Sequence, residues 1–281
     1  MVHNAFGTLK KVILCPPDNF TLVPINVIAQ GYLDQGEKGD LAICRREHAE
    51  FAQAYLENGT EVVMLEPRKG FPYQVFARDF GASVAGGVVL GRFSVEVRRG
   101  EEQDAKAVIA SLNYPLLGTV EQGAFEGGDF WMLDESTLAV GSIARSTPEG
   151  IEALRCILEP RGYEVVMVGA EEKFLHLDMI FNIVAERVAV ACIDALPDDF
   201  LKRVRLMHYE LIELPEEDVF KLRCNLQALG RGRVLSFENN RAVTQALRSL
   251  GLEVIELNLT ELLKGGGGPH CMTFPLERDK S

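Results

Sequence analysis

Gly59-Thr60-Glu61-Val62-Val63 reappears as Gly162-Tyr163-Glu164-Val165-Val166 and as Gly251-Leu252-Glu253-Val254-Ile255. Asn113-Tyr114-Pro115-Leu116-Leu117 and His208-Tyr209-Glu210-Leu211-Ile212 are looser copies. Each copy follows a helical pattern, over about 41–58, 101–112, 149–161, 197–207 and 239–250. The cause is local. A helix closes on a left-handed residue, a conformation that Gly adopts freely and Asn or His tolerates better than most. A β-rich run then starts a strand. The copies begin at 59, 113, 162, 208 and 251, a period of about 50 residues, within the range of repeat architectures. Five units of strand, strand, helix, strand would close on themselves.

No Pro/Ser-rich run divides the 281 residues, so the expectation is one α/β unit, 1–281. The longest stretch without clear periodicity, about 16–39, reads as a lid or binding loop, or as a plain surface excursion. Hydrophobic residues make up 47%, enough for a substantial core. The formal charge of −12 argues against nucleic acid, which needs basic stripes, and mildly favours cationic ligands. No apolar run approaches the roughly 20 residues of a membrane helix, so no membrane partner is expected. The start, Met1-Val2-His3-Asn4-Ala5, does not read as a signal peptide. Six scattered cysteines without a CxxC pair read as reduced thiols in a cytoplasm, with no disulfide frame and no metal site.

Reactive residues interrupt apolar strand character after each repeat. They are Phe76-Ala77-Arg78-Asp79-Phe80-Gly81, then Phe125-Glu126-Gly127-Gly128-Asp129-Phe130, then Leu175-His176-Leu177-Asp178. Cys224-Asn225-Leu226-Gln227 and Gly265-Gly266-Gly267-Gly268-Pro269-His270-Cys271 complete the set. If the units circle an axis, these positions converge on it. Buried charges are costly unless paired, and Cys, His and carboxylates together are the inventory of a nucleophilic site. Each has a plainer reading alone. Cys271 could be an inert core thiol, His176 a satisfied core histidine, and Arg78-Asp79 a local ion pair. His176 and Asp178, two apart, would share one face of a strand. Cys224-Asn225 reads as structural.

At Glu126-Gly127-Gly128-Asp129, His176-Leu177-Asp178 and Gly266-Gly267-Gly268-Pro269-His270-Cys271-Met272-Thr273, the chain resembles the guanidino-group-modifying enzymes. These are arginine deiminase, dimethylarginine dimethylaminohydrolase and the amidinotransferases. The resemblance runs from about Val12 to Leu276 and implies the pentein fold, a five-bladed α/β propeller with pseudo-fivefold ββαβ repeats. It implies Cys271 as nucleophile, His176 as general acid/base and Glu126 as the group orienting that histidine. It implies Asp79 and Asp178 as the clamp on a guanidinium, with Asp129, in the same motif as Glu126, as a further substrate-binding residue. Arg98 and Arg145 resemble arginines that bind a substrate carboxylate, and Asn26 resembles a lid position. No cofactor is implied. The partner would be a small guanidino molecule; a homodimer is left open.

The implied activity is hydrolysis of a guanidinium C–N bond through a covalent thiouronium, dimethylargininase-like or deiminase-like. An amidinotransferase would pass the same adduct to an amine. A non-catalytic pentein-fold binding protein would lack the Cys/His/carboxylate set. His270 stands where deiminases usually carry Arg, and Arg78 where dihydrolases that carry arginine through to ornithine carry Asn.

Overall fold

Gly59, Asn113, Gly162, His208 and Gly251 all take φ between 59° and 90°. The five junctions therefore share one conformation. The computed structural model describes residues 1–280. The chain opens with β1 (Leu9–Leu14), then passes α1 (Val27–Asp34) and α2 (Leu41–Glu57) to β2 (Glu61–Met64). A second unit holds β3 (Gly81–Val84), β4 (Gly87–Leu90), α3 (Glu101–Ser111) and β5 (Leu116–Thr119). A third holds β6 (Phe130–Met132), β7 (Thr137–Ser142), α4 (Pro148–Leu158) and β8 (Glu164–Gly169). A fourth holds β9 (Phe181–Ala185), β10 (Val188–Ala191), α5 (Asp198–Leu206) and β11 (Glu210–Glu213). After the short α6 (Glu216–Val219) come β12 (Gln227–Gly230), β13 (Arg233–Phe237), α7 (Arg241–Ser249) and β14 (Glu253–Leu257). A last short helix, α8 (Thr260–Leu263), precedes β15 (Phe274–Arg278).

These strands form five three-stranded sheets, and β15 joins β1 and β2 to complete the first unit's sheet. In every sheet the middle strand is antiparallel to one neighbour and parallel to the other. A parallel pair needs a crossover, and the helix of each unit supplies it. The first strand of each sheet lies innermost: β3, β6 and β12 are buried throughout. The third strands β2, β5 and β11 have no fully buried residue. Glu61, Glu164, Glu210 and Glu253 open four of these outer strands, and charge there discourages edge-to-edge pairing. Units touch in cyclic order. The turn Ala77–Phe80 meets Gly127–Asp129, which meets Leu177–Met179; β9 meets β12, β12 meets β1, and β15 meets Ala77–Phe80.

The helices hold the sheets from outside. In α4, Thr147 accepts from Gly150 N, Pro148 takes the first turn, and Ile151, Leu154 and Leu158 bury one face against β7 and β8. Cutting Leu154 to Ala would cost about 2–5 kcal/mol. The stretch 16–39 departs from the expected loop, because it contains α1. Asn26 starts that helix, accepting from Ala29 N. Among the described residues no helix is long and apolar enough to cross a membrane. All six cysteines are free, five of them buried.

Candidate active site

Each reactive segment leads directly into the innermost strand of its sheet, so the five arrive at the centre together. A narrow cavity of about 20 Å³ is lined by Asp79, Arg98, Arg145, His176 and Cys271, with Asn26 at its rim. Asp178 and Asn225 reach it through Cys271. The thiol donates to Asp178 Oδ2 (3.3 Å), and Asn225 Nδ2 donates to Sγ (3.0 Å). Asn225 Oδ1 accepts from Gly268 N and Cys271 N, both at 3.1 Å, which fixes the glycine loop under the sulfur. A Cβ on Gly267 would sit 2.5 Å from the Phe76 ring and 2.9 Å from Cys271 Cβ, so only glycine brings the loop this close. Burial first, then Asp178 and Asp79, push the Cys271 thiol well above its ordinary pKa. The second oxygen of Asp178, Oδ1, is buried and accepts no hydrogen bond among the described residues.

His176 stands opposite in a nest of acids. Its Nε2 bonds Glu126 Oε2 at 3.0 Å, and Nδ1 lies 3.9 Å from Asp79 Oδ1. Burial alone would strip its proton. Asp79, Asp129 and Glu126 outweigh that and raise it to about 9. Glu126 is fully satisfied: Oε1 takes Ser94 N and Oγ, Oε2 takes His176 and Arg145 Nη1 (3.2 Å). Against burial, Arg145 and His176 bring it down to about 2. The backbone just before His176 is strained. Leu175 has φ 63° and ψ −68°, and His176 N donates to Phe174 O at 2.7 Å, a tight γ-turn.

The two arginines differ. Arg98 is buried and donates to Asp79 (2.5 Å), to Glu101 and to Phe76 O (3.0 Å). Its Nε–H is also held by Glu101, so four of its five N–H groups are engaged. Arg145 gives one N–H to Glu126 and one to Ile25 O (2.7 Å). Ile25, Asn26, Arg145, Leu175 and Gly266 line the inner cavity and also an outer cleft of about 500 Å³. Asn26 Nδ2 donates to Gly265 O (2.9 Å), which ties the start of α1 to the cysteine loop. Asp79, Glu126 and His176 bring ligand-type atoms within 4.8 Å of one another. Arg98 and Arg145 already hold the two carboxylates of that group.

A family model described as N,N dimethylarginine dimethylhydrolase, eukaryotic, matches residues 16–278. The chain belongs to this family. It lies among the guanidino-group-modifying enzymes that its motifs resemble. It is 33% identical to the uncharacterized protein YkgA of Bacillus subtilis, over 97% of this chain and 93% of that one. It is 27% identical to the N(G),N(G)-dimethylarginine dimethylaminohydrolase of Pseudomonas aeruginosa, over 84% and 90%. Its fold matches the N-terminal domain of ArgZ, an arginine dihydrolase of Cyanobacteria, with TM-score 0.85 and 25% identity over 96% and 98%. It spans 39% of the longer AgrE chain.

In this dimethylarginine dimethylhydrolase-family chain the local readings need four corrections. His176 and Asp178 do not share a strand face. Leu177–Met179 forms a 3₁₀ turn, which sends His176 to Glu126 and Asp178 to His270 and Cys271. Arg78 and Asp79 are not a local ion pair. Asp79 bonds Arg98, whereas Arg78 donates to Gly127 O and Phe130 O. Asp129 turns inward, accepting from Leu177 N (2.8 Å) and Ser146 Oγ (2.7 Å), so its oxygens hold the fold. Asn225, read as structural, touches the sulfur. Its place before β12, matching Cys271 before β15, is the signal that marks it.

Proposed function

We propose that this chain hydrolyses a C–N bond in the guanidinium group of arginine or a substituted arginine. In this reading one domain, a five-bladed propeller, carries a Cys271 nucleophile. The observation that supports it best is that Cys271, whose thiol donates to Asp178, and His176, bonded to Glu126, line one narrow cavity, with Asp178 Oδ1 buried and unpartnered beside the thiol. A guanidinium N–H donated to Asp178 Oδ1 would satisfy that buried acceptor, and the planar cation fits carboxylates on its edge.

The steps follow from the residues. A bound cation beside Sγ favours the thiolate that burial and Asp178 otherwise disfavour, and the thiol's proton leaves to solvent water as the substrate binds. Attack on the guanidinium carbon gives a tetrahedral adduct. His176 gives its proton to the departing amine, leaving a thiouronium on Cys271. Neutral His176 then takes a proton from water, and the resulting hydroxide displaces the sulfur. The product is a urea, citrulline when the substrate is an arginine. Three free N–H groups on Arg145 suit a substrate carboxylate, and Arg98 offers one more. The inner cavity is too small for arginine, so residues 16–39 act as a lid whose Ile25–Asn26 segment opens to the outer cleft.

The test is product analysis with arginine, methylated arginines, agmatine and guanidino acids. Citrulline with ammonia or a methylamine is expected from the wild-type chain. Cys271→Ser is expected to be folded, with turnover lost by about 10³-fold or more. Absence of product from every compound, with no mass gain at Cys271 after a reactive amidine, would overturn the proposal.

A further inference from the structure

A second cavity, of about 30 Å³, lies behind His270 and is lined by Arg78, Ser83, Trp131, Gln227, His270 and Arg278, among others. Its chemistry is opposite to that of the acidic pocket. Arg78 and Arg278 are 6% and 3% exposed, yet neither forms a salt bridge among the described residues. Arg78 donates only to Gly127 O and Phe130 O, and Arg278 to Gly7 O and Ala228 O. Arg278 Nε, Trp131 Nε1 and Ser83 Oγ are buried with no partner among the described residues.

An uncompensated buried charge is costly, and so is each unsatisfied donor. Burial first lowers Arg78 to about 10 and Arg278 to about 9; Arg78 pushes Arg278 down further. Asp178 and Asp79 temper Arg78 from the active-site side. Arg278 has no carboxylate among the groups that raise it. Water would satisfy the donors but not the charge. One monovalent anion would satisfy both, and a volume of about 30 Å³ holds one or two water-sized groups.

We propose that this cavity is a binding site for a monovalent inorganic anion of chloride size, held by Arg78, Arg278, Trp131 and Ser83. The site is separate from the reaction and stands or falls without it. Crystals of the full chain soaked in sodium bromide and measured at the bromine edge are expected to show an anomalous peak among these residues. In solution, bromide or chloride is expected to raise the thermal midpoint saturably over gluconate at equal ionic strength. Trp131→Phe keeps a ring against His270 but removes one donor, and is expected to weaken half-saturation roughly tenfold. Ser83→Ala is the milder second variant, with a smaller weakening. Water alone in the cavity, halide only at the surface, or a halide response unchanged in both variants would overturn the proposal.

Discussion

The molecule buries two histidines on either side of Cys271, each bonded to a carboxylate, and they titrate in opposite directions. His176 Nε2 meets Glu126 at 3.0 Å; His270 Nδ1 meets Asp178 at 2.8 Å. Both are almost inaccessible, at 2% and 4%. His176 is raised to about 9, whereas His270 is lowered to about 4. Burial lowers both. Around His176 the further neighbours are Asp79 and Asp129; around His270 they are Arg78 and Arg278, and its ring stacks on Trp131 at 4.4 Å. One hydrogen-bonded acid therefore does not decide the charge of a buried imidazole. The second ring of charge decides it.

Substitution of the histidines should separate them most strongly. His176→Gln is expected to lower kcat by about 10²–10⁴-fold, since in the proposed reaction His176 gives the proton to the leaving amine. His270→Gln is expected to cost on the order of tenfold, because it acts only through Asp178. Equal losses in steady-state rates would erase the distinction.

Removing a partner comes next. Glu126→Ala leaves Arg145 and His176 facing each other without their shared acid and is expected to destabilise the fold by about 3–5 kcal/mol. Arg98→Ala should behave alike, because Asp79 and Glu101 lose their cation; burial already raises Glu101 to about 7. Denaturant unfolding measures both. A change confined to KM in Arg98→Ala would show that its carboxylate partners are not its main role.

The pH dependence is smaller and sharper. His176 has a folded pKa above its ordinary value of about 6.5, so its contribution to stability is complete below that pH. It is lost as pH rises through about 9. The stability gap between wild type and His176→Gln should close over that window, and kcat should fall there as the acid form disappears. His270 stays neutral in the fold until pH falls to about 4, so its term weakens the fold as pH drops below about 6.5. NMR titration of both rings checks the two directions. Smallest of all, Arg78→Met should move the His270 titration upward and leave that of His176 nearly in place.

The sequence discloses these regions unequally. The five junction residues announced the repeat because helix closure by a left-handed residue is a local event. The segments before the inner strands announced the site because charge among Phe, Leu and Met is rare without cause. What one residue faces was not legible. A period-two reading placed His176 and Asp178 together, but the γ-turn at Leu175 and the 3₁₀ turn after it rotate them apart. Asn225 and Trp131 meet Cys271 and His270 across units, which no single segment encodes; Arg98 and Arg145 meet Asp79 and Glu126 inside their own units, but 19 residues along the chain. The helix inside 16–39 was hidden by its short length and by an Asn cap that also serves the glycine loop.

The pairing of β15 with β1 has a consequence for how the protein comes into being. Leu9 lies opposite Arg278, and Cys271 sits a few residues before that seam. A ribosome delivers β1 well before that stretch. Until then β1 holds only β2, Asn225 has no sulfur to grip, and Asp178 has no thiol beside it. The group of side chains around Cys271 is thus complete only once β15 has been made, so that half-made chains carry the acids and the histidine without this thiol.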